Sequence, residues 1–350
     1  MSFCLFHSPR AANDANAIQA ERGFELAASR WLSHDRLWRL GGGSLAAREA
    51  RADLIFSPTS NLVPAVRIPV ACTVHDATPL IMPTHSRKVT LLQRCMLWAA
   101  CKYSQAVITV SECSRRDLIR TCRVPGSKVF VVHNGYDDTL FNGSAPDRDR
   151  QKALNRKYGL TKPYLWHHGV IQPRKNLKRL IDAYRLLLSR NPNLEFDLVL
   201  AGPLGWEFEE TVAAANDGAG YRGRVVLTGA LENKDLVCLL KGASLAVIPS
   251  LYEGFCLPMV EAMACGVTTV VADASCLPEI SGGVLRYFDP QSVDDMASCM
   301  ESVLDSPEAR STLARRGKER SAIFSWRRCA EETVAVLKRY ARADERRLVG

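Results

Sequence analysis

No run of eighteen uncharged apolar residues occurs in this sequence, so its reading contains no membrane-spanning helix. The opening MSFCLFHSPR lacks a basic stretch leading into an apolar core, and no secretory leader is expected from it. Cysteine is present twelve times, yet never in a CxxC pair and never spaced with histidine as in a zinc site. Reduced thiols in a cytoplasmic chain fit that usage. Aromatic residues make up only 7%, and no stacking or groove-reading motif accompanies the basic residues, which sets nucleic acid aside as a partner. No Asp-x-Asp metal motif stands out, and low-complexity tracts and internal repeats are missing.

What is present is an ordinary globular composition: 350 residues, 47% hydrophobic and 24% charged, enough chain for two domains with a core each. The formal charge is +9, and residues 315–347 hold eleven Lys/Arg against five Asp/Glu, so the carboxy-terminal end is the electropositive one. Such charge either solvates a helix face or draws the chain to phosphorylated substrates and anionic lipid.

From Asp53 onward short β-branched runs alternate with helical patterns. DLIFS, PVACTV, AVITV and KVFVV read as strands, with VTLLQRCMLWAACKY as an amphipathic helix among them. The alternation resumes at YLWHH and continues through FDLVLAG, RVVLTG, LAVIPS, TTVVAD and VLRYFD. Strands separated by helices make parallel sheets, so the fold class expected is α/β, two Rossmann-like doubly wound domains. The segment 134–163 is polar and rich in turn formers. The boundaries read as a first domain at 1–145, a linker at 146–162, a second domain at 163–325, and a terminal helix with a basic tail at 326–350. Three helical patterns after Gln291 close the chain.

Ligands of parallel-sheet domains bind where loops leave the carboxyl ends of strands. One such place is LAVIPSLYEGFCLPMVEAMACG, where a strand ends near Ser250, a loop carries Glu253 and Gly254, and a helix begins about Pro258. Backbone N–H groups of Phe255, Cys256 and Leu257 at that helix end suit a phosphate. Glu253 and Glu261 suit hydroxyls, as on a sugar and a ribose, although Glu261 alone could equally be a helix-surface carboxylate. A second place is HHGVIQPRKNLKRL, where Gly169 allows close backbone approach and Arg174 and Lys175 precede a helix. Two cations there can neutralise charge developing on a departing phosphate, or can simply decorate a surface. His167 and His168 point to opposite sides of their strand and cannot share one metal.

The stretch YEGFCLPMVEAMACGVTTVVADASCLPEISG, with its two glutamates separated by seven residues, resembles the donor-binding signature of family-4 glycosyltransferases of the GT-B fold. HHGVIQPRKNLKRLIDAYRLL, LTGALENKDLVCLLKGAS, AVITVSECSRRDL and VVHNGYDDTLF resemble further segments of that family, so the likeness covers residues 53–326. The resemblance implies a retaining transferase acting on a nucleotide diphosphate sugar. It implies Glu253 at the transferred sugar, Glu261 at the ribose, the Phe255–Leu257 backbone at the diphosphate, and Gly169 and Gly229 beside the donor. It puts Arg174 and Lys175 on the leaving group and His75, after the strand PVACTV, near the sugar; a turn histidine bonded to backbone is the other reading of His75. VHDATP, TVSECS and PRKNL look most like mannosyl- or rhamnosyltransferases of surface polysaccharide assembly, with GDP-mannose the first donor expected.

The expected partners are therefore a nucleotide-sugar donor, a glycan or lipid-linked acceptor and an anionic membrane surface, with no metal and no cofactor beyond the donor. Two departures from the family pattern stand out. Cys256 replaces a common glycine, and the amino-terminal strand and glycine loop are hard to find: FCLF is followed by HSPRAANDANA, and Gly41 to Gly43 come later. A shortened first domain is expected, and with it a donor-binding protein of little turnover as the rival reading.

Overall fold

The β-branched and apolar runs form strands, the central ones buried on both faces, and the polar stretches between them supply helices with one buried stripe. The computed structural model describes residues 4–6, 25–27, 43–60, 68–217 and 223–345. It divides into one unit of Met1–Val110, Ser114–Val132 and Ala330–Gly350, and a second of Ser111–Cys113 and His133–Cys329.

In the first unit β1 (Cys4–Phe6) and β2 (Glu25–Ala27) form a parallel pair, followed by α1 (Gly43–Glu49). Next come β3 (Ile55–Ser57), β4 (Val70–Thr73), α2 (Thr78–Ile81), α3 (Arg87–Tyr103), β5 (Ala106–Thr109), α4 (Glu112–Cys122) and β6 (Val129–Val131). The last four strands make a parallel sheet in the order β3-β4-β5-β6. One side of it packs Cys72, Val74 and Val107 against Leu97, Ala100 and Leu118. On another, Ala71 and Ala106 receive Leu337. The strand read at FCLF is β1; HSPRAANDANA, Gly41 and Gly42 lie outside the described residues.

The second unit begins with α5 (Arg148–Tyr158), then β7 (Tyr164–His168), α6 (Leu177–Arg190), β8 (Asp197–Ala201), α7 (Glu209–Asn216), β9 (Val225–Gly229), α8 (Asn233–Lys241) and β10 (Leu245–Ile248). It continues with α9 (Leu257–Ala264), β11 (Thr269–Ala272), α10 (Leu277–Ser281), β12 (Arg286–Phe288), α11 (Val293–Leu304) and α12 (Pro307–Ser321), and ends in the first residues of α13 (Trp326–Glu345), whose remainder from Ala330 belongs to the first unit. Six parallel strands lie in the order β12-β11-β10-β7-β8-β9. The chain builds outward from β7 to β9, then returns to lay β10 on the other side of β7. That reversal is the topological switch point of a doubly wound sheet, where loops leaving adjacent strands diverge and leave a crevice.

The expected boundaries shift in three places. Residues 146–162 carry α5, which Asp147 caps by accepting from the N–H groups of Asp149 and Arg150, and which ends on Gly159 at φ +63°. Its Leu154 is buried in the second unit's core with Trp166, Val199 and Leu240, so this segment is folded structure. The division between units falls at Val132 and His133, and the terminal helix from Ala330 onward belongs with the first unit.

Candidate functional site at the switch point of the second sheet

Every residue of β7 and β10 is buried, so the loop leaving each strand is set on a rigid base. After β7 the chain passes Gly169 at φ +144° and makes a short 3-10 turn, Pro173–Lys175. The turn ends on Asn176 in the left-handed region at φ +58°, and Asn176 Nδ2 donates to the carbonyls of Pro249 (3.1 Å) and Pro290 (2.8 Å). Leu251 N–H donates to the Arg174 carbonyl at 2.9 Å, tying the turn to the loop after β10. The two loops are thereby stitched together by backbone as well as side chain.

Across that stitch Arg174 Nη1 donates to Glu253 Oε2 at 2.6 Å and to the Tyr252 carbonyl at 2.7 Å, while Lys175 Nζ donates to Glu253 Oε1 at 2.6 Å. Glu253 is 6% exposed and Lys175 also 6%. Burial pushes the Glu253 carboxyl up, but the charges and hydrogen bonds of Lys175 and Arg174 outweigh it and hold it down to about 2. At neutral pH Glu253 is a carboxylate that accepts hydrogen bonds and has no proton to give. Its own N–H donates to Ser275 Oγ at 3.0 Å.

Beyond Glu253 the chain enters α9 through Cys256, whose φ of +68° and ψ of 69° place a non-glycine residue in the left-handed region. The helix starts at Leu257 with Pro258 second, one residue before the start expected. No side chain caps this end, and among the described residues the N–H groups of Gly254, Phe255, Cys256 and Leu257 donate no hydrogen bond. Undonated N–H groups at a helix start, with two cations alongside, form a site for an anion. The Phe255 ring is buried and packs edge-on against Phe324, centroids 5.2 Å apart. Burial pushes the Cys256 thiol up to about 12, with Glu253 adding to it, so Cys256 is no nucleophile.

One turn inside α9, Glu261 Oε2 lies 2.8 Å from His168 Nε2, and Trp166 Nε1 donates to His168 Nδ1 at 3.0 Å. An indole N–H can only donate, so His168 Nδ1 accepts and Nε2 carries the proton given to Glu261. Glu261 also lines a cavity of about 250 Å³ with Tyr136, Leu236, Leu257 and Trp326. His167 faces the other way and donates Nδ1–H to the Val247 carbonyl at 2.9 Å, leaving a buried Nε2 without a partner. Burial, then the Lys175 charge, hold its pKa down to about 3.

Arg174, Lys175, Glu253, Gly254, Phe255, Cys256, Leu257, Glu261 and Gly169 thus gather around the ends of β7 and β10. A Cβ on Gly169 would lie 3.3 Å from Lys175 Cε, so the glycine keeps the lysine's path clear. Gly229 ends β9 at φ +69° with open space where its side chain would be. His75 belongs to the first unit, is exposed, and has its Nε2 3.1 Å from the Pro58 carbonyl, the backbone contact of a turn histidine. His168, Asn176 and Ser275 are supports that sequence reasoning misses; an Asn between a basic pair and a helix is the one legible signal among them.

A model described as Glycosyl transferases group 1 matches residues 148–320, and one described as Glycosyltransferase Family 4 matches residues 3–140. The O-antigen chain mannosyltransferase B of Escherichia coli is 29% identical over 76% of this chain and 69% of that one. The serotype-specific mannosyltransferase WbdA of Escherichia coli is 27% identical over 81% of this chain, which spans about a third (35%) of the WbdA length. Among solved structures, Anabaena Alr3699/HepE in complex with UDP and glucose superposes with a TM-score of 0.71 at 20% identity, covering 92% of this chain and 88% of that one, a likeness of fold. With both halves matched and two parallel-sheet α/β units in the chain, this protein is a GT-B enzyme belonging to the group 1, family 4 glycosyltransferases.

Proposed function

We propose that the second unit binds a nucleotide diphosphate sugar and that the chain transfers its hexose, mannose in the first instance, to a glycan or lipid-linked glycan with retention of anomeric configuration. The carrying observation is the buried Glu253 carboxylate, bonded by Arg174 and Lys175 beside the undonated N–H groups of residues 254–257. In this reading the diphosphate lies on the start of α9, where the helix dipole and four N–H groups meet it. Arg174 and Lys175 then share their positive charge between Glu253 and the departing diphosphate. They stabilise the charge that grows as the glycosidic bond breaks, the work a divalent ion does elsewhere, so no metal is needed.

Glu253, fixed as an acceptor, takes hydrogen bonds from hydroxyls of the transferred sugar and holds the ring in place. Its carboxyl, held down to about 2, is too weak a base to take the acceptor's hydroxyl proton; that proton passes to the leaving phosphate as the acceptor oxygen attacks from the same face of the sugar, and attack on that face retains the configuration. Glu261, oriented by His168 at the mouth of the 250 Å³ cavity, accepts from the ribose hydroxyls. Mannose as the sugar rests on the mannosyltransferases among the relatives. GDP-mannose is accordingly the first donor to test.

A thermal-shift panel of GDP, UDP, dTDP and ADP with their sugars tests the donor site, since a ligand bound to the native state raises its apparent stability. GDP and GDP-mannose should raise the Tm of the parent chain by several degrees and that of Glu261→Ala by far less. Stabilisation by another nucleotide series would replace GDP, and none by any series would end the donor-site reading. Mannosyl transfer assayed with and without a chelator tests the metal-independent step; loss of activity on chelation would reject it.

A further inference from the structure

We propose that the outward face of α3 docks the chain on an anionic lipid surface. This helix is more apolar outside than inside. The side that meets the first unit's sheet holds Thr90, Leu97, Ala100 and Cys101, with Gln93 and Arg94 partly covered. The opposite side presents Leu91 (62% exposed), Leu92 (60%), Met96, Trp98 and Tyr103 (61%) to solvent. At 100° per residue these five fall on one face of the helix, and nothing among the described residues covers it. A contiguous apolar patch of this kind marks an interaction surface.

Charge decides the occupant. The seventeen residues RKVTLLQRCMLWAACKY contain four basic side chains and no acidic one. Arg87 and Lys88 are exposed at one end of the apolar stripe and Lys102 at the other. Lys102 Nζ lies 4.5 Å from the centre of the Trp98 ring and 5.9 Å from that of Tyr103, a cation-π contact that holds a positive charge against the aromatic end of the stripe. Trp, Tyr and exposed Lys and Arg beside exposed leucines are the components of a helix lying in a lipid interface, and uniform positive charge selects anionic headgroups. No described helix is long and apolar enough to cross a membrane, so the contact is one of lying on the surface.

Among the described residues, the basic carboxy-terminal helices, where residue counting alone puts such a contact, offer no comparable face. In α12 Arg315 is paired with Glu319 at 2.9 Å, and Arg320 donates to the carbonyls of Ile280 and Glu279. In α13 Leu337 is turned into the first unit's core.

Flotation of the full chain with vesicles of phosphatidylcholine, alone and mixed with phosphatidylglycerol, tests the assignment without donor or turnover, so its failure would leave the donor-site reading intact. The parent should float with the anionic vesicles at low salt and much less at high salt. Leu92→Glu/Trp98→Glu and Arg87→Glu/Lys88→Glu should each lower partitioning roughly tenfold or more. Their Tm should be unchanged, because the altered side chains are exposed. Arg315→Glu/Arg316→Glu should float like the parent. Loss of flotation in that last variant alone would move the contact to α12 and overturn the proposal. So would α3 variants that float normally, a parent that ignores anionic vesicles, or a parent dimer in light scattering that Leu92→Glu/Trp98→Glu splits into monomers.

Discussion

Glu253 and Lys175, 78 residues apart in the chain, meet at 2.6 Å with both side chains less than a tenth exposed. A pair buried this deeply is costly to break from one side, because the survivor keeps its desolvation and loses its partner. Arg174, a fifth exposed, is the second support of the same carboxylate. The site is therefore held together by charges that the proposed reaction also uses.

Lys175→Met should destabilise the protein by about 3 kcal/mol or more, lowering Tm by roughly 6–12 °C. Lys175→Met/Glu253→Gln should regain at least half of that loss, since it removes the stranded carboxylate as well. A melting curve for each member of the cycle reads this; additive losses would show that the pair is not coupled.

Acid should weaken the second unit in two stages, both through groups whose folded pKa is depressed. The unfolded His167 imidazole takes up a proton below about 6.5, whereas the folded one does not until about 3. Stability then falls with pH by up to about 1.4 kcal/mol per unit across that window. The Glu253 contribution is complete above its ordinary 4.5 and is lost as pH falls toward about 2. His167→Asn, which keeps a donor for the Val247 carbonyl and does not titrate, should flatten the stability profile between the two ordinary pKa values. Denaturant titrations at stepped pH measure the slope directly.

His168→Ala should weaken nucleotide binding by roughly tenfold, the worth of one charge-assisted hydrogen bond that orients Glu261. His168→Gln supplies an N–H toward Glu261 and should recover much of it. Calorimetric titration with the nucleotide that stabilises the parent checks both; equal affinity in all three proteins would remove His168 from the donor site.

At Cys256 the usual order of helix preference should invert. Cys256→Gly relieves a left-handed φ worth about 1–2 kcal/mol, whereas Cys256→Ala keeps the strain and loses the buried sulfur. The glycine variant should melt above the alanine variant, and the opposite order would mean that packing dominates there.

Gly202→Ala should be severe and Gly229→Ala mild. A Cβ at Gly202 would meet the Gly169 carbonyl at 2.0 Å, backbone against backbone beside the proposed donor site, while Gly229 faces open space. The first should lose several kcal/mol and the second about 1 kcal/mol from its positive φ alone. Expression and Tm of the two proteins distinguish them.

Every strand named from residue pattern is present, because parallel strands covered on both faces read as continuous apolar runs. Helix α5 escapes that reading for a physical reason: RDRQKALNRKY buries only Leu154, so it has almost no apolar stripe to see. Asp147 before it and Gly159 after it are legible as caps. At the site, Arg174, Lys175, Glu253 and Glu261 can be named from two segments, but their pairing cannot. It depends on β7 and β10 being neighbours in the sheet, and no local pattern carries that. His168 is legible only as a strand residue, since its bond to Glu261 spans 93 positions.

Leu337, which fills the space against Ala71 and Ala106, also bears on biosynthesis. The first unit emerges early from the ribosome, yet its core lacks this side chain until the whole second unit has been translated. The earlier-made part of the protein is thus the later one to be finished. In the interval Ala71 and Ala106 have Leu54, Phe56 and Phe130 but lack Leu337 and its helix neighbours Val336 and Tyr340, a stage at which a chaperone has apolar surface to hold and a stalled chain has some to aggregate through.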